Sequence, residues 1–142
     1  MKKFTDMLRK TRRTIFLIVM TMCIMHAAGC NSNENVISVS ASEFEKEINA
    51  CSVQLVDVRT PEEFADGHIA GALNINVKSD DFRQKAEKAL SKDSVVLVYC
   101  RSGRRSLDAA EILTELGYKV INLKGGIIEW SEAGLPVDNG QN

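Results

Sequence analysis

SVVLVYCRSGRRS, residues 94–106, passes from an unbroken apolar run to a cysteine, then to three arginines and a glycine. Ser94–Tyr99 has the continuous β-branched character of a strand covered on both faces, not the alternation of a half-exposed one. From Arg105 onward, Leu107, Ala110, Leu113 and Leu116 recur at three-residue spacing and Gly117 supplies a stop, which predicts a helix directly after the loop. Strand, short turn and helix in that order predict one unit of a parallel sheet. The turn lies at the strand's carboxyl end, where such folds hold their sites.

The same alternation continues on both sides. VISV (36–39), VQLVDV (53–58), ALNINV (72–77) and YKVINL (118–123) read as further strands. Ser40 and Glu43 form a capping box for ASEFEKEINA (41–50). Thr60-Pro61-Glu62-Glu63 supplies an N-cap, a first-turn proline and acids suited to the helix dipole, predicting a short helix that ends near Gly67. SDDFRQKAEKAL (79–90) and IIEWSEAG (127–134) complete the helices. The fold class expected is α/β, a parallel sheet of five strands between two helical layers.

The 142 residues are 44% hydrophobic and 26% charged, ordinary globular composition with room for one core. Residues 1–29 hold six of the 18 basic residues and one of the 19 acidic ones, which leaves 12 basic against 18 acidic in the rest. An acidic body argues against nucleic acid as a partner. The apolar run Ile15–Met25 is shorter than the roughly 20 residues of a membrane span and fits the core of a signal peptide over 1–29. Ala27-Ala28-Gly29-Cys30 resembles the lipobox of bacterial lipoproteins. That implies acylated Cys30, a tether over 30–35, and an extracytoplasmic protein anchored on the periplasmic or cell-surface side of a bacterial membrane. A plain secretory signal or a short uncleaved anchor is the alternative. The folded body is expected over 36–137, with a flexible tail over 138–142.

Cys23 falls within the signal, leaving Cys51 and Cys100 in the body. Cys51 precedes one strand and Cys100 follows another, so they are expected at opposite sheet edges, about 20 Å apart at roughly 3.3 Å of rise per residue. A disulfide needs Cα atoms within about 7 Å, so Cys51 is read as an incidental or structural thiol.

Cys100 is the candidate nucleophile. Sulfur attacks as thiolate, a form that helix N-termini and nearby cations favour. The backbone N–H groups from Cys100 to Arg105 can curl into an anion-holding nest, and Gly103 permits the curvature. Arg101, Arg104 and Arg105 add positive potential, with Ser102 in the same turn. Arg105, as first residue of the helix, is the leading anion contact among them. Asp57 and Arg59 end a second strand beside this loop. Their expected role is structural, Asp57 accepting loop backbone N–H groups and Arg59 pairing with Glu63 across the short helix. His68, in GHIAGA, is read as the anchor of a turn ahead of a general base. Phe64 and Trp130 are read as core, and Gly125 and Gly126 as a turn bordering the site.

CRSGRRS (100–106) resembles the active-site loop of the rhodanese superfamily of sulfurtransferases. DVRTPEEFADGHIAGALNI (57–75) is similar to that family's upstream signature, and GYKVINLKGGIIEW (117–130) to its closing one. The three occur in order and together cover the body from Val36 to Pro136. The resemblance implies a rhodanese-like fold with a five-stranded parallel sheet, and Cys100 as catalytic residue in a loop of substrate-binding residues Arg101–Arg105. It also implies ping-pong sulfur transfer: Cys100 takes a sulfane sulfur from a small anionic donor such as thiosulfate and passes it to a thiol or cyanide, without metal or organic cofactor. Phosphatases and arsenate reductases of related fold use a seven-residue loop from cysteine to arginine. Here Arg105 is the sixth residue and Ser106 the seventh, a count that favours sulfur transfer. A persulfide carrier or protein-binding module remains the other reading.

Overall fold

The computed structural model describes residues 36–50 and 52–139. The expected signal segment 1–29, Cys30 with its tether to residue 35, Cys51, and residues 140–142 of the tail lie outside the described residues. The elements are β1 (Val36–Val39), α1 (Ala41–Ala50), β2 (Gln54–Asp57), α2 (Pro61–Asp66), β3 (Leu73–Asn74), α3 (Phe82–Ala89), β4 (Val96–Tyr99), α4 (Arg104–Glu115), β5 (Val120–Leu123) and α5 (Gly126–Glu132). Among the described residues no helix is long and apolar enough to cross a membrane.

The strands form one sheet in the order β1-β5-β4-β2-β3 with every pairing parallel. β4 is central and buried along its whole length, the reason its sequence carries no polar alternation. Strand parity divides the core in two. Val56, Val58, Val96, Val98 and Cys100 face Phe82 and Ala86 of α3 and Ala109, Ala110 and Leu113 of α4. Leu55, Leu97, Tyr99 and Leu123 face Ala41 and Phe44 of α1 and Ile127 and Trp130 of α5. Phe44 meets Trp130 edge to face at 6.4 Å, and the indole N–H donates to the Pro136 carbonyl at 2.9 Å, so this large ring is buried without an orphan donor.

Local chemistry sets the helix starts. The Thr60 hydroxyl accepts the Glu63 N–H while the Glu63 carboxylate accepts the Thr60 N–H, with Pro61 opening α2 and Gly67 closing it. At α1 the Glu43 carboxylate takes both the Ser40 N–H (3.0 Å) and the Ser40 hydroxyl (2.7 Å).

Five expectations need correction. β3 keeps two residues of the six expected: the Ile75 N–H still bonds the Asp57 carbonyl of β2, but the Val77 N–H bonds the Val58 carbonyl, a step of two residues against one, and the parallel register breaks there. α4 begins at Arg104, not Arg105. Its buried stripe is Ser106, Ala109, Ala110 and Leu113, while Leu107 is 42% exposed. A helix turns every 3.6 residues, so the three-residue reading drifts off the true face within two turns. Phe64 lies outside both core clusters and stacks on the His68 ring at 3.8 Å. Asp138, placed in the tail by sequence, is tied down through a two-bond antiparallel bridge with His68.

Candidate active site

The parallel register brings three strand ends together. Asp57 ends β2 opposite Tyr99 of β4, and β5 delivers Lys124, Gly125 and Gly126 on the other side of Cys100. Cys100 is the first residue past β4 and is 1% exposed, with a free thiol. Its Sγ accepts the Gly103 N–H at 3.2 Å and lies 3.4 Å from the Ser106 hydroxyl. The chain therefore curls around the sulfur and enters α4, whose N-cap, Gly103, makes no side-chain cap bond. The first-turn N–H groups of α4 are thus available to an anion poised beyond the thiol.

Two glycines allow this curl. Gly103 has φ +90°, and a Cβ there would stand 1.8 Å from the Lys124 carbonyl oxygen. Gly126 has φ +63°, and its Cβ would stand 2.5 Å from the Arg101 carbonyl. The loop is clamped between β4 and α5, and the clamp is hydrogen-bonded: Ile127 N–H donates to the Cys100 carbonyl (2.9 Å) and Ile128 N–H to that of Arg101 (3.2 Å). Glu129 braces the same turn from behind, accepting the Gly125 N–H at 2.8 Å and the Ala41 N–H at 3.1 Å.

The charged residues pair differently from the sequence expectation. Arg105, not Arg59, is the partner of Glu63, through two 2.7 Å bonds that form a bidentate fork. Hydrogen bonding from Arg105 holds the Glu63 carboxyl down at about 2. The same bonds raise the Arg105 guanidinium above its ordinary range, against the opposing effect of burial. Arg59 instead forks onto Asp57 at 2.5–3.0 Å and donates to the Gly67 carbonyl at 2.7 Å. Burial is the largest single influence and opposes the Arg59 charge, but the hydrogen bonds and the negative charge of Asp57, with smaller contributions from Tyr99 and Glu63, together outweigh it and raise the guanidinium above its ordinary range. Asp57 takes a backbone N–H from Arg59 (2.9 Å), not from the Cys100 loop as expected. These pairs knit residues 57–67 into a rigid wall beside the sulfur, completed by Asn74, whose amide donates to the carbonyls of Asp57 and Arg59.

His68 is not among the hydrogen-bond partners of the thiol: its Nδ1–H donates to the Phe64 carbonyl at 3.0 Å. Arg101, Ser102 and Arg104 are exposed, and among the described residues neither arginine has an ion-pair partner, so both present positive charge at the rim. Arg101 also lines an open cleft of ≈ 560 Å³ with Arg59, Gly67, Ile127, Ile128 and Val137. Among the described residues no group of three or more His, Cys, Asp or Glu is placed to hold a metal ion.

Two contributors escaped the sequence reading. Ser106 touches the sulfur, and a serine in the first turn of a helix, where hydroxyls bond back to the preceding loop, was the available signal. Tyr99 accepts the buried Ile69 N–H on its phenolic oxygen at 3.0 Å, fixing the chain just after His68. Burial pushes that phenol far above its ordinary range, so it stays neutral.

Comparison with known proteins agrees with this geometry. A family model described as a rhodanese-like domain matches residues 40–133. A sulfurtransferase of Allochromatium vinosum is 45% identical over 86 residues, covering 60% of this chain and 78% of that one. Thiosulfate sulfurtransferase PspE of Escherichia coli is 40% identical over 73 residues, covering 51% and 68%. Among solved structures, a rhodanese-related protein of Thermoplasma volcanium superposes with a TM-score of 0.65 at 36% identity, covering 72% of this chain and 98% of that one.

Proposed function

The chain belongs to the family of rhodanese-like domains, and from that premise we propose that it is a sulfurtransferase in which Cys100 carries the transferred sulfur as a persulfide. The observation that carries this reading is the environment of one atom. Cys100 Sγ accepts a backbone N–H, lies within reach of a hydroxyl, and sits at the foot of a helix that begins without a side-chain cap. Backbone donors fixed in advance beside a sulfur stabilise negative charge there without reorganising during the reaction.

In the first half-reaction the Cys100 thiolate attacks the outer sulfur of a sulfane donor. With thiosulfate, the bond between the two donor sulfurs breaks and sulfite leaves with its electron pair. In the second, cyanide or a thiolate takes the outer sulfur and Cys100 returns to thiolate. Exposed Arg101 and Arg104 draw the anionic donor to the rim, and the α4 amides receive the charge. Arg105 contributes through its fixed charge while its guanidinium stays forked to Glu63. The chemistry needs no metal or organic cofactor. The relatives named sulfurtransferase support this reaction class. The test is turnover: protein lacking residues 1–29, given thiosulfate and cyanide, should release thiocyanate, and Cys100→Ala should release none. Aryl phosphate hydrolysis dependent on Cys100 would favour a phosphatase instead.

A protein acceptor is the second reading. The cleft beside the loop is broad and carries the exposed apolar Ile128 next to Arg101, a surface suited to a partner chain. Persulfide that forms on Cys100 yet resists every small acceptor would favour this carrier role.

We further propose that the chain works outside the cytoplasm, anchored through acylated Cys30 by the lipobox-like Ala27-Ala28-Gly29-Cys30. Labelled fatty acid should enter the wild-type chain and not Cys30→Ala, which should also leave the membrane fraction.

A further inference from the structure

Ser106 supplies the hydroxyl that lies within reach of Cys100 Sγ. It is fully buried in the first turn of α4, and its hydroxyl lies between two acceptors, Cys100 Sγ at 3.4 Å and the Gly103 carbonyl at 3.1 Å. One hydroxyl proton serves one acceptor at a time. The Gly103 carbonyl already receives the Leu107 N–H at 3.2 Å, so it stays satisfied when the hydroxyl turns away. The charge on sulfur decides the choice. An uncharged sulfur is a weak acceptor and loses to a carbonyl, whereas a thiolate draws a charge-assisted bond of roughly twice the strength of a neutral one. Cys100 and Ser106 are both shut off from solvent, which magnifies that difference.

We propose that Ser106 is a catalytic residue of sulfur discharge, its hydroxyl passing from the Gly103 carbonyl to Cys100 Sγ as the persulfide bond breaks. The inference rests on the persulfide reading above. Loading leaves the outer sulfur of the Cys100 persulfide as an anion; the acceptor thiol gives its proton to that sulfur and, as thiolate, attacks it, so that a new S–S bond forms between the two. The bond from Sγ to the outer sulfur breaks, its electron pair goes to Sγ, and the outer sulfur keeps its proton. The products are a small persulfide and the Cys100 thiolate. Sγ enters this step uncharged and leaves it as an anion, so the hydroxyl bond strengthens along the reaction and lowers its barrier. In loading, the order is reversed: the hydroxyl stabilises the attacking thiolate and loses strength as its charge disperses into the donor. Ser106 therefore favours discharge and gives loading no help, an asymmetry that a purely structural side chain would not produce.

The test measures the two half-reactions separately in wild type, Ser106→Ala and Ser106→Thr. Each protein is charged with thiosulfate, freed of donor, mixed with free cysteine and quenched at intervals for intact mass. Ser106→Ala should load to the same stoichiometry, at no less than half the wild-type rate, and discharge about ten- to a hundred-fold more slowly, the range expected for a lost hydrogen bond to a charged group. Ser106→Thr, which keeps a hydroxyl, should recover most of the discharge rate. A melting curve verifies folding, and if the alanine variant unfolds, Ser106→Val, which has the shape of the threonine variant without its hydroxyl, supplies the same loss. Discharge within two-fold of wild type, or equal slowing of both halves, overturns the inference. Wild type that never gains sulfur would instead remove the persulfide reading on which it stands.

Discussion

Gly103→Ala isolates the contact on which the loop depends. At φ +90° an alanine costs about 1–2 kcal/mol from backbone strain alone. Its Cβ would also stand 1.8 Å from the Lys124 carbonyl oxygen, whereas carbon and oxygen rest at about 3.3 Å or more. The shortfall cannot be absorbed by a flexible side chain. The Lys124 N–H is bonded to the Val39 carbonyl at 2.9 Å and the Gly103 carbonyl to the Leu107 N–H at 3.2 Å, so both backbones are held. Forcing such an overlap costs typically about 1–3 kcal/mol more, for a sum of roughly 2–5 kcal/mol. At about 4–8 °C per kcal/mol for a domain of this size, the midpoint should fall by at least 8 °C or so. Gly71→Ala and Gly134→Ala are the controls. Both glycines have positive φ, +80° and +73°, and neither Cβ would meet anything within 4 Å, so these variants bear the strain without the clash. Thermal unfolding followed by circular dichroism decides the matter. A Gly103→Ala midpoint no lower than those of the controls would refute the argument that β5 closes the loop by contact.

The remaining predictions concern the wall beside the sulfur. Glu63 titrates at about 2 in the fold against an ordinary 4.5, so the stability its pair supplies is complete above 4.5 and is lost as pH falls toward 2. Glu63→Gln should therefore lower stability at neutral pH by about 1 kcal/mol and flatten the acid limb of the melting curve; acid limbs parallel to wild type would contradict the assignment. Asp57→Asn leaves the Arg59 guanidinium, 6% exposed, without its counter-charge. Breaking a buried pair on one side costs about 3–5 kcal/mol, which urea unfolding should register, and a loss below about 1 kcal/mol would show that this pair does not hold the segment.

The parts of the fold legible in the sequence are those set by local chemistry. The unbroken apolar run of β4 announced burial on both faces, and Thr60-Pro61-Glu62-Glu63 announced the start of α2, with Thr60 as N-cap and Pro61 in the first turn as the structure has them. What stayed hidden depends on contacts distant in sequence. Arg59 and Glu63 look like an i,i+4 pair, but Arg59 precedes the N-cap in non-helical backbone, where that spacing does not bring side chains together. It folds back on Asp57 two residues away, and Glu63 is free to take Arg105, 42 residues along the chain. Ser106 was obscured for the opposite reason. Leucine at 107 draws the eye to a hydrophobic stripe, yet the helix is rotated so that the serine faces the sulfur and the leucine faces solvent. The cysteine, glycine and arginines of the loop were visible as a set; which of the arginines remain unpaired was not.

Intact-mass analysis of the protein after exposure to thiosulfate, with the modified residue located by fragmentation, tests the central claim most directly. The account predicts that Cys100 gains one sulfur atom, that cyanide removes it with release of thiocyanate, and that Cys100→Ser never acquires it. A Cys100 that stays unmodified by thiosulfate and by every other sulfane donor, in protein whose melting curve shows it to be folded, would contradict it.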